Sequence, residues 1–445
     1  MKRSYLFVTW EGGGNVPPVL GVARRLAARG HSVRVLTEPC LEPAVREAGA
    51  DFVPFTRYFT RAKLGEDLMG DWQAKSPMGA LQHTMQYVLL GPARIVAEET
   101  QHALTQARTD VLVADLMMLG SLAAAEAARI PRVVLFHMPE YLPGPGRPAA
   151  GPGFLPRNDL IGRLRDGLLT GLLHRTVGDF LPAFNDARQA CGLPPLKTAQ
   201  ELLGEYHRAD LRLIQTLEAF DFPITPAPAN VRYVGPTLDD PSWTEPWLNP
   251  WPAEDQRPLV VASLSSTFQN QQDILQRIMA ALGSLDVRGL VTLGPAMADV
   301  VFDLPPNVIA LPAVSHAQVF PHAAAVVSHA GHGTVMRGLA HGLPLLCLPM
   351  GRDQDDNAAR VMAHGAGLRL KRSAKPQQIA QAVQQLLDRP DYRRQAQRLG
   401  QLIALDVASD RAVLEMERVG VIPESRPVQA RELPGTASPQ PAFQP

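Results

Sequence analysis

The stretch from Val326 to Asn357 constrains what this chain can fold into more than any other. A short run, Ala325-Val326-Val327, reads as a buried strand. It ends in Ser328-His329-Ala330-Gly331-His332-Gly333-Thr334, and a helical pattern follows from Val335 to His341. A Gly-rich turn between strand and helix brings free backbone N–H groups and the positive end of a helix dipole to one point. That is an anion site, and a diphosphate is its usual occupant. A second strand, Pro344 to Leu348, ends at Pro349-Met350-Gly351-Arg352-Asp353-Gln354. The adjacent polar side chains of Asp353 and Gln354 at a strand's carboxyl end suit hydrogen bonds to sugar hydroxyls. A phosphate turn and a hydroxyl reader at neighbouring strand ends describe a nucleotide-sugar site. The bland alternative for Asp353 is a cap on the helix that follows.

Strand and helix patterns alternate on both sides of this chain's middle, which argues for parallel α/β layers. In the first half the predicted strands are Tyr5–Thr9, Ser32–Leu36, Val111–Ala114 and Arg132–Phe136, with helices over Pro17–Arg29 and Ser121–Arg129. In the second half they are Leu259–Ser263, Leu290–Thr292, Val308–Leu311, Ala325–Ser328 and Leu345–Leu348. Helices are expected over Gln271–Leu282, Val335–His341, Gln377–Leu387, Tyr392–Ile403 and Asp410–Val419. Nine prolines between Pro223 and Pro258 exclude a regular helix or central strand there. This segment reads as a linker, with Trp243, Trp247 and Trp251 packing the hinge. The organisation is then residues 1–222, a linker 223–258, residues 259–405, a closing segment 406–422 and a Pro-rich tail 423–445 expected to be disordered.

Of 445 residues, Lys plus Arg and Asp plus Glu number 43 each, so nothing argues for nucleic acid as an electrostatic partner. Three scattered cysteines, Cys40, Cys191 and Cys347, fit a reducing cytoplasm and no disulfide framework. No apolar run approaches about 18 residues, so no transmembrane helix is expected. His329, His332 and His341 have no carboxylate or cysteine nearby to complete a metal site.

The ordered series His329-x-Gly331-x-Gly333-Thr334, Gly342-x-Pro344, Pro349 and Asp353-Gln354-x-x-Asn357-Ala358 resembles the donor-binding signature of the UDP-glycosyltransferase superfamily. Its bacterial members that decorate secondary metabolites look most similar. The resemblance implies the GT-B fold, two facing Rossmann-like domains with parallel sheets. The first domain would bind the acceptor and the second the donor, and a final helix, Asp410–Val419, would cross back. It implies an inverting, metal-independent transferase without cofactor, moving a sugar from a UDP- or dTDP-sugar to a lipophilic small molecule, as monomer or homodimer. It assigns His329, Gly331, Gly333, Thr334, Ser266 and Thr267 to the diphosphate, whose charge the helix N-terminus and His329 would meet. Asp353 and Gln354 would hold the sugar. The Ser265-Ser266-Thr267 turn has a second reading, a cap on the next helix. An epimerase or hydrolase on the same fold, or a non-catalytic nucleotide-sugar-binding partner, are the competing functions.

Three positions depart from the family pattern. The ribose-binding glutamate is Arg337, which cannot accept a hydrogen bond, so UDP and dTDP stay equally open. The base-stacking tryptophan is Leu311, which leaves the base to backbone groups near Ala313 and Val314. The catalytic histidine after the first strand is Gly12. Glu11 is then the first candidate for the base, followed by Asp115 and by His137, or the acceptor ionises unaided. Asp115 also fits the aspartate that partners the histidine in relatives, or a cap on the helix near Gly120. Trp10, Tyr58, Phe59, Met85, Met117 and Met138 are the candidate apolar acceptor pocket.

Overall fold

The computed structural model describes residues 2–420 apart from 225 and 242. The central strands are apolar and buried on both faces, as strands between helix layers must be. Ser4–Val8 (β1), Ser32–Thr37 (β2), Asp51–Pro54 (β3), Val111–Asp115 (β4), Arg132–Phe136 (β5), Leu211–Ile214 (β6) and Val231–Tyr233 (β7) form one sheet. Its order is β3-β2-β1-β4-β5-β6-β7, with every pair parallel. Leu259–Ser263 (β8), Arg288–Thr292 (β9), Val308–Leu311 (β10), Ala323–Ser328 (β11), Leu345–Cys347 (β12) and Gly367–Arg369 (β13) form a second. That sheet is also parallel, in the order β10-β9-β8-β11-β12-β13. Two such sheets with helices on their faces are the two Rossmann-like halves of the GT-B fold.

In each sheet the chain runs outward to one edge and then returns beside its first strand. The reversals fall between β1 and β4 and between β8 and β11, and open α/β sheets bind ligands at such switch points, beyond the strand carboxyl ends. Thr9–Asn15 follows β1 and Asp115 ends β4; Ser265–Thr267 follows β8 and His329 follows β11. The halves face each other there. A Cβ on Gly13 would collide with the Ser266 hydroxyl across the divide, and Gly13 has φ +76°, a conformation that suits glycine.

The first half ends later than the sequence suggested. Val231–Tyr233 lies inside the proline-dense segment yet pairs with β6, so only the part beyond it connects the sheets. As the outermost strand, β7 meets the proline rule, which excludes central strands but not edges. In the connecting part, Trp247 and Trp251 pack on the core of the second half, with rings 6.2 Å apart and Arg288 over Trp251. The last helix, Arg411–Arg418, returns to the first half. Val413 and Met416 are fully buried against Tyr5, Leu20 and Val33, and Glu417 receives Arg29 and His31. Residues 423–445, expected to be disordered, lie outside the described residues. Among the described residues no helix is long and apolar enough to cross a membrane.

Candidate functional site

The strand-to-helix turn after β11 leaves a helix N-terminus open. The helix His332–Ala340 starts with Gly331 as N-cap and has no side-chain cap, so its first N–H groups stay unpaired within the helix. Ala330 has φ +68°, an unfavourable value for a residue with a Cβ. Its carbonyl is held by Asn357 Nδ2 at 2.9 Å. A Cβ on Gly331 would run into the His329 ring, so the imidazole folds over that glycine. Burial first, and the Arg352 charge second, lower the His329 pKa to about 4. His329 is therefore neutral near pH 7, and as it stands it offers a hydrogen bond rather than a positive charge. Thr334 is buried and Gly333 half-buried at the same helix end.

The Ser265–Thr267 turn does not cap a helix. The next helix, Gln272–Gly283, has Gln271 at its N-cap without a side-chain bond. Ser266 is half-buried and faces Gly13, while Thr267 Oγ1 lies 3.0 Å from Arg352 Nη1 and 3.2 Å from Ser265 Oγ. Asp353 sits at the N-cap position of Gln354–Ala363 but makes no cap bond. Its Oδ2 accepts from Asn357 Nδ2 at 2.7 Å, and burial raises its pKa. It lines a cavity with Met138, Tyr141, Asp356 and Asn357. Gln354 departs from the reading as a free sugar contact. It is 2 % exposed, its Oε1 accepts from Met350 N at 2.7 Å, and its Nε2 meets the Gln269 amide at 3.0 Å. Its amide thus fixes the loop that carries Asp353.

At the base end, Ala313 is half-buried and Val314 is core, so only backbone is available there. Arg337 reaches away to the connecting segment, donating to the carbonyls of Leu238 and Asp239 with Asp240 at 3.7 Å. His332, at the start of the helix, bonds Thr216 Oγ1 at 2.9 Å across the divide. Among the described residues no group of three or more His, Cys, Asp or Glu is placed to hold a metal ion.

Across the cleft the N-terminal loop is organised by a residue the sequence did not single out. Asn15 Nδ2 donates to Asp115 Oδ2 at 2.8 Å and to the Trp10 carbonyl at 2.9 Å, while its Oδ1 accepts from Gly12 N at 3.0 Å. A side chain at Gly12 would start 2.7 Å from both Asn15 Oδ1 and the Trp10 ring. Thus the amide of Asn15 fills the space that a side chain at Gly12 would need, and an amide is no base. The signal was its side chain, a ready partner for the buried Asp115. Asp115 also accepts from Thr9 Oγ1 at 3.2 Å and Met117 N at 2.9 Å. Held by three donors, it is a partner carboxylate and caps no helix; Met118 is the N-cap of Leu119–Ala127.

His137 lies just beyond β5 with Nδ1 3.7 Å from Asp115 Oδ2. That nitrogen is buried without a hydrogen-bond partner. Glu11 is 5 % exposed. Burial foremost pushes its pKa up to about 7, with Arg61 lowering and Glu38 raising it. Among the acceptor candidates, Trp10, Phe59 and Met85 are core residues, correcting the reading of them as pocket wall. Trp10 and Phe55 both pack on Phe59, because apolar side chains in a loop above a sheet bury one another first. Tyr58, Met117 and Met138 remain half-buried.

Comparison with known proteins agrees with this architecture. Residues 276–414 match the family model described as "Erythromycin biosynthesis protein CIII-like, C-terminal domain". The chain is 29 % identical over 413 residues to 4'-demethylrebeccamycin synthase of Lentzea aerocolonigenes, spanning 90 % of this chain and 95 % of that one. Among solved structures, the glycotransferase of kitacinnamycin superposes with TM-score 0.71 at 21 % identity over 94 % of this chain and 99 % of its own. The glycosyltransferase VinC in complex with dTDP gives 0.63 at 19 % over 93 % and 100 %. Motif, two-sheet fold, C-terminal family match and full-length relative agree: the chain has the GT-B fold and is similar to natural-product glycosyltransferases of the UDP-glycosyltransferase superfamily.

Proposed function

We propose that the protein transfers a sugar, with inversion, from a nucleoside diphosphate sugar to a lipophilic natural-product acceptor bound against the first half. The observation that carries this reading is the pair of loops facing each other at the two switch points. The second half presents there an uncapped helix N-terminus, His329 and the Ser266-Thr267 turn; the first half presents Asp115, with His137 from the neighbouring strand end beside it. The acceptor hydroxyl loses its proton to His137 as its oxygen attacks C1 of the sugar. The C1–O bond breaks, and its electron pair leaves on the diphosphate, where backbone N–H groups and hydroxyls receive the charge. Asp115 orients the imidazole. A distance of 3.7 Å exceeds a hydrogen bond, and such bonds tighten when the substrate arrives. Glu11, the first candidate on sequence grounds, ranks behind His137 because its carboxylate lies among Arg61 and Glu38.

We infer dTDP over UDP as the carrier. Arg337, at the ribose-reading position, is committed to backbone carbonyls and offers no acceptor to a second ribose hydroxyl; VinC, similar in fold, is described with dTDP. Asp353 is the sugar contact, and no metal is required. Three free cysteines suit a reducing cytoplasm.

The test is incubation with dTDP- and UDP-sugars and a panel of aromatic and macrolide acceptors, after EDTA treatment, with products read by mass spectrometry. A glycoside is expected. Nucleotide release without acceptor would mean a hydrolase, binding without turnover a non-catalytic partner, and loss of activity restored by magnesium a metal-dependent enzyme.

A further inference from the structure

The neutral His329 leaves open which group supplies positive charge to the leaving diphosphate. Arg352 adjoins Asp353, and after burial its charge is the largest influence on His329. Its Nη1 donates to Thr267 Oγ1 at 3.0 Å, on the turn assigned to the diphosphate. Its backbone has φ +58°, which a residue with a Cβ adopts only when its surroundings require it. The rest of its fork is filled from the opposite half: Nε and Nη2 grip the two oxygens of Asp71 at 2.9 and 3.0 Å. The Asp71 side chain is 7 % exposed and that of Arg352 19 %. Next to Asp71, Trp72 packs edge-on against Phe268, with ring centroids 5.1 Å apart.

A guanidinium fork binds a carboxylate and a phosphate in the same bidentate way. We propose that Arg352 is the cation that receives the donor's diphosphate, and that Asp71 occupies its fork as an internal anion which the donor displaces. This deepens the nucleotide-sugar reading above and rests on it. Displacement breaks the contact between the halves at Asp71, so donor binding and loosening of the segment around Asp71 and Trp72 are one event. When the C1–O bond breaks, the electron pair arrives on the oxygens that Arg352 faces, and its permanent charge does what a neutral imidazole does not.

An interdomain strut would look similar in the structure, but the two ideas differ in sign. If the pair only braces the halves, removing either partner shifts nucleotide binding the same way. If Asp71 competes with the ligand, the two changes act in opposite directions. The measurement is calorimetric titration of the intact protein with dTDP and UDP, with thermal unfolding of each variant as a check on folding. Asp71→Asn keeps the shape, removes the competing charge and is expected to bind nucleotide about 3- to 10-fold more tightly. Arg352→Gln is expected to bind at least about 10-fold more weakly, in keeping with a lost charge-assisted bidentate contact. Arg352→Lys, which keeps the charge without the fork, is expected to fall between. Equal or weaker binding by Asp71→Asn overturns the proposal, as does unchanged binding by Arg352→Gln. If Arg352→Gln does not fold, Asp71→Asn alone decides by the direction of its shift. If the unaltered protein binds neither nucleotide, the donor reading itself has failed, an outcome distinct from binding that ignores Arg352.

Discussion

The two lips of the cleft are built by the same device, a loop after a central parallel strand, yet they follow the family pattern to different degrees. On the donor lip the glycines, His329 and Asp353 stand as the signature has them, and the helix behind them starts uncapped. On the acceptor lip the histidine is absent, and Asn15 fills its space and bonds the aspartate that would have held it. The difference fits the ligands proposed for each lip. A diphosphate is recognised chiefly by backbone N–H groups, which ties the sequence to glycines and a fixed turn. An acceptor hydroxyl needs only one base in reach, and the end of β5 can present one as well as the end of β1.

The largest expected effect breaks the acceptor lip. His137→Ala should lower turnover about 10²- to 10⁴-fold, the range of general-base catalysis, with nucleotide affinity nearly unchanged. Asp115→Asn should fall in the same direction by orienting the imidazole less well. Steady-state rates with saturating donor decide it, and near-normal turnover in His137→Ala would remove His137 from the mechanism. Next comes the donor lip, where His329→Ala should cost roughly 10²-fold in turnover, about 3 kcal/mol for one lost donor to the leaving group. Nucleotide binding should weaken too, which the His137 change would not do, so the two lips separate by that one titration.

A smaller effect sharpens the donor lip. Asp353→Ala should raise KM for the sugar nucleotide while leaving affinity for the free nucleoside diphosphate nearly unchanged, because Asp353 is assigned to the sugar. Equal losses for both ligands would reassign Asp353 to supporting Asn357, its partner at 2.7 Å, and through it the Ala330 carbonyl.

How much of this was readable depended on whether a feature is local. The strands Leu259–Ser263, Val308–Leu311 and Arg132–Phe136 announce themselves by apolar runs and were bounded as the structure has them; the glycine turn after Ser328 was placed, but its helix starts at His332, three residues before the expected Val335. The helix Leu160–Asp179 escaped because its apolar residues do not form a buried face. Only Gly162, Thr176 and Val177 are buried in it, while Leu160, Ile161, Leu164 and Leu168 are exposed, and periodicity arguments assume a buried stripe. Val231–Tyr233 escaped because three residues amid prolines carry no pattern. The partners that define the site, Asn15 on Asp115 and Asp71 on Arg352, lie 100 and 281 residues apart in sequence. Only the fold brings them together, so the glycine turn was legible and the charge arrangement around it was not.

The smallest expected effect on turnover is that of Glu11→Gln, and it bears on whether a carboxylate or His137 serves as the base. Glu11 has a folded-state pKa of about 7, raised from 4.5 chiefly by burial. A buried carboxylate with a raised pKa binds its proton more tightly folded than unfolded. Between those two values the folded protein therefore holds more protons, and stability falls as pH rises through the window. If Glu11 only packs behind the loop, replacing it by the neutral, isosteric glutamine should leave turnover within about a factor of three, well short of the 10²-fold that loss of a base entails. The same change should remove that stability loss. Relative to the unaltered protein, the variant should gain thermal stability at pH 8 and gain much less at pH 5, where the carboxyl is already protonated in the folded state. Melting both proteins at the two pH values and comparing rates at pH 8 separates the roles. A drop in turnover of 10²-fold or more, with a rate in the unaltered protein that falls as pH drops below about 7, would make Glu11 the base and reduce His137 to a wall of the pocket.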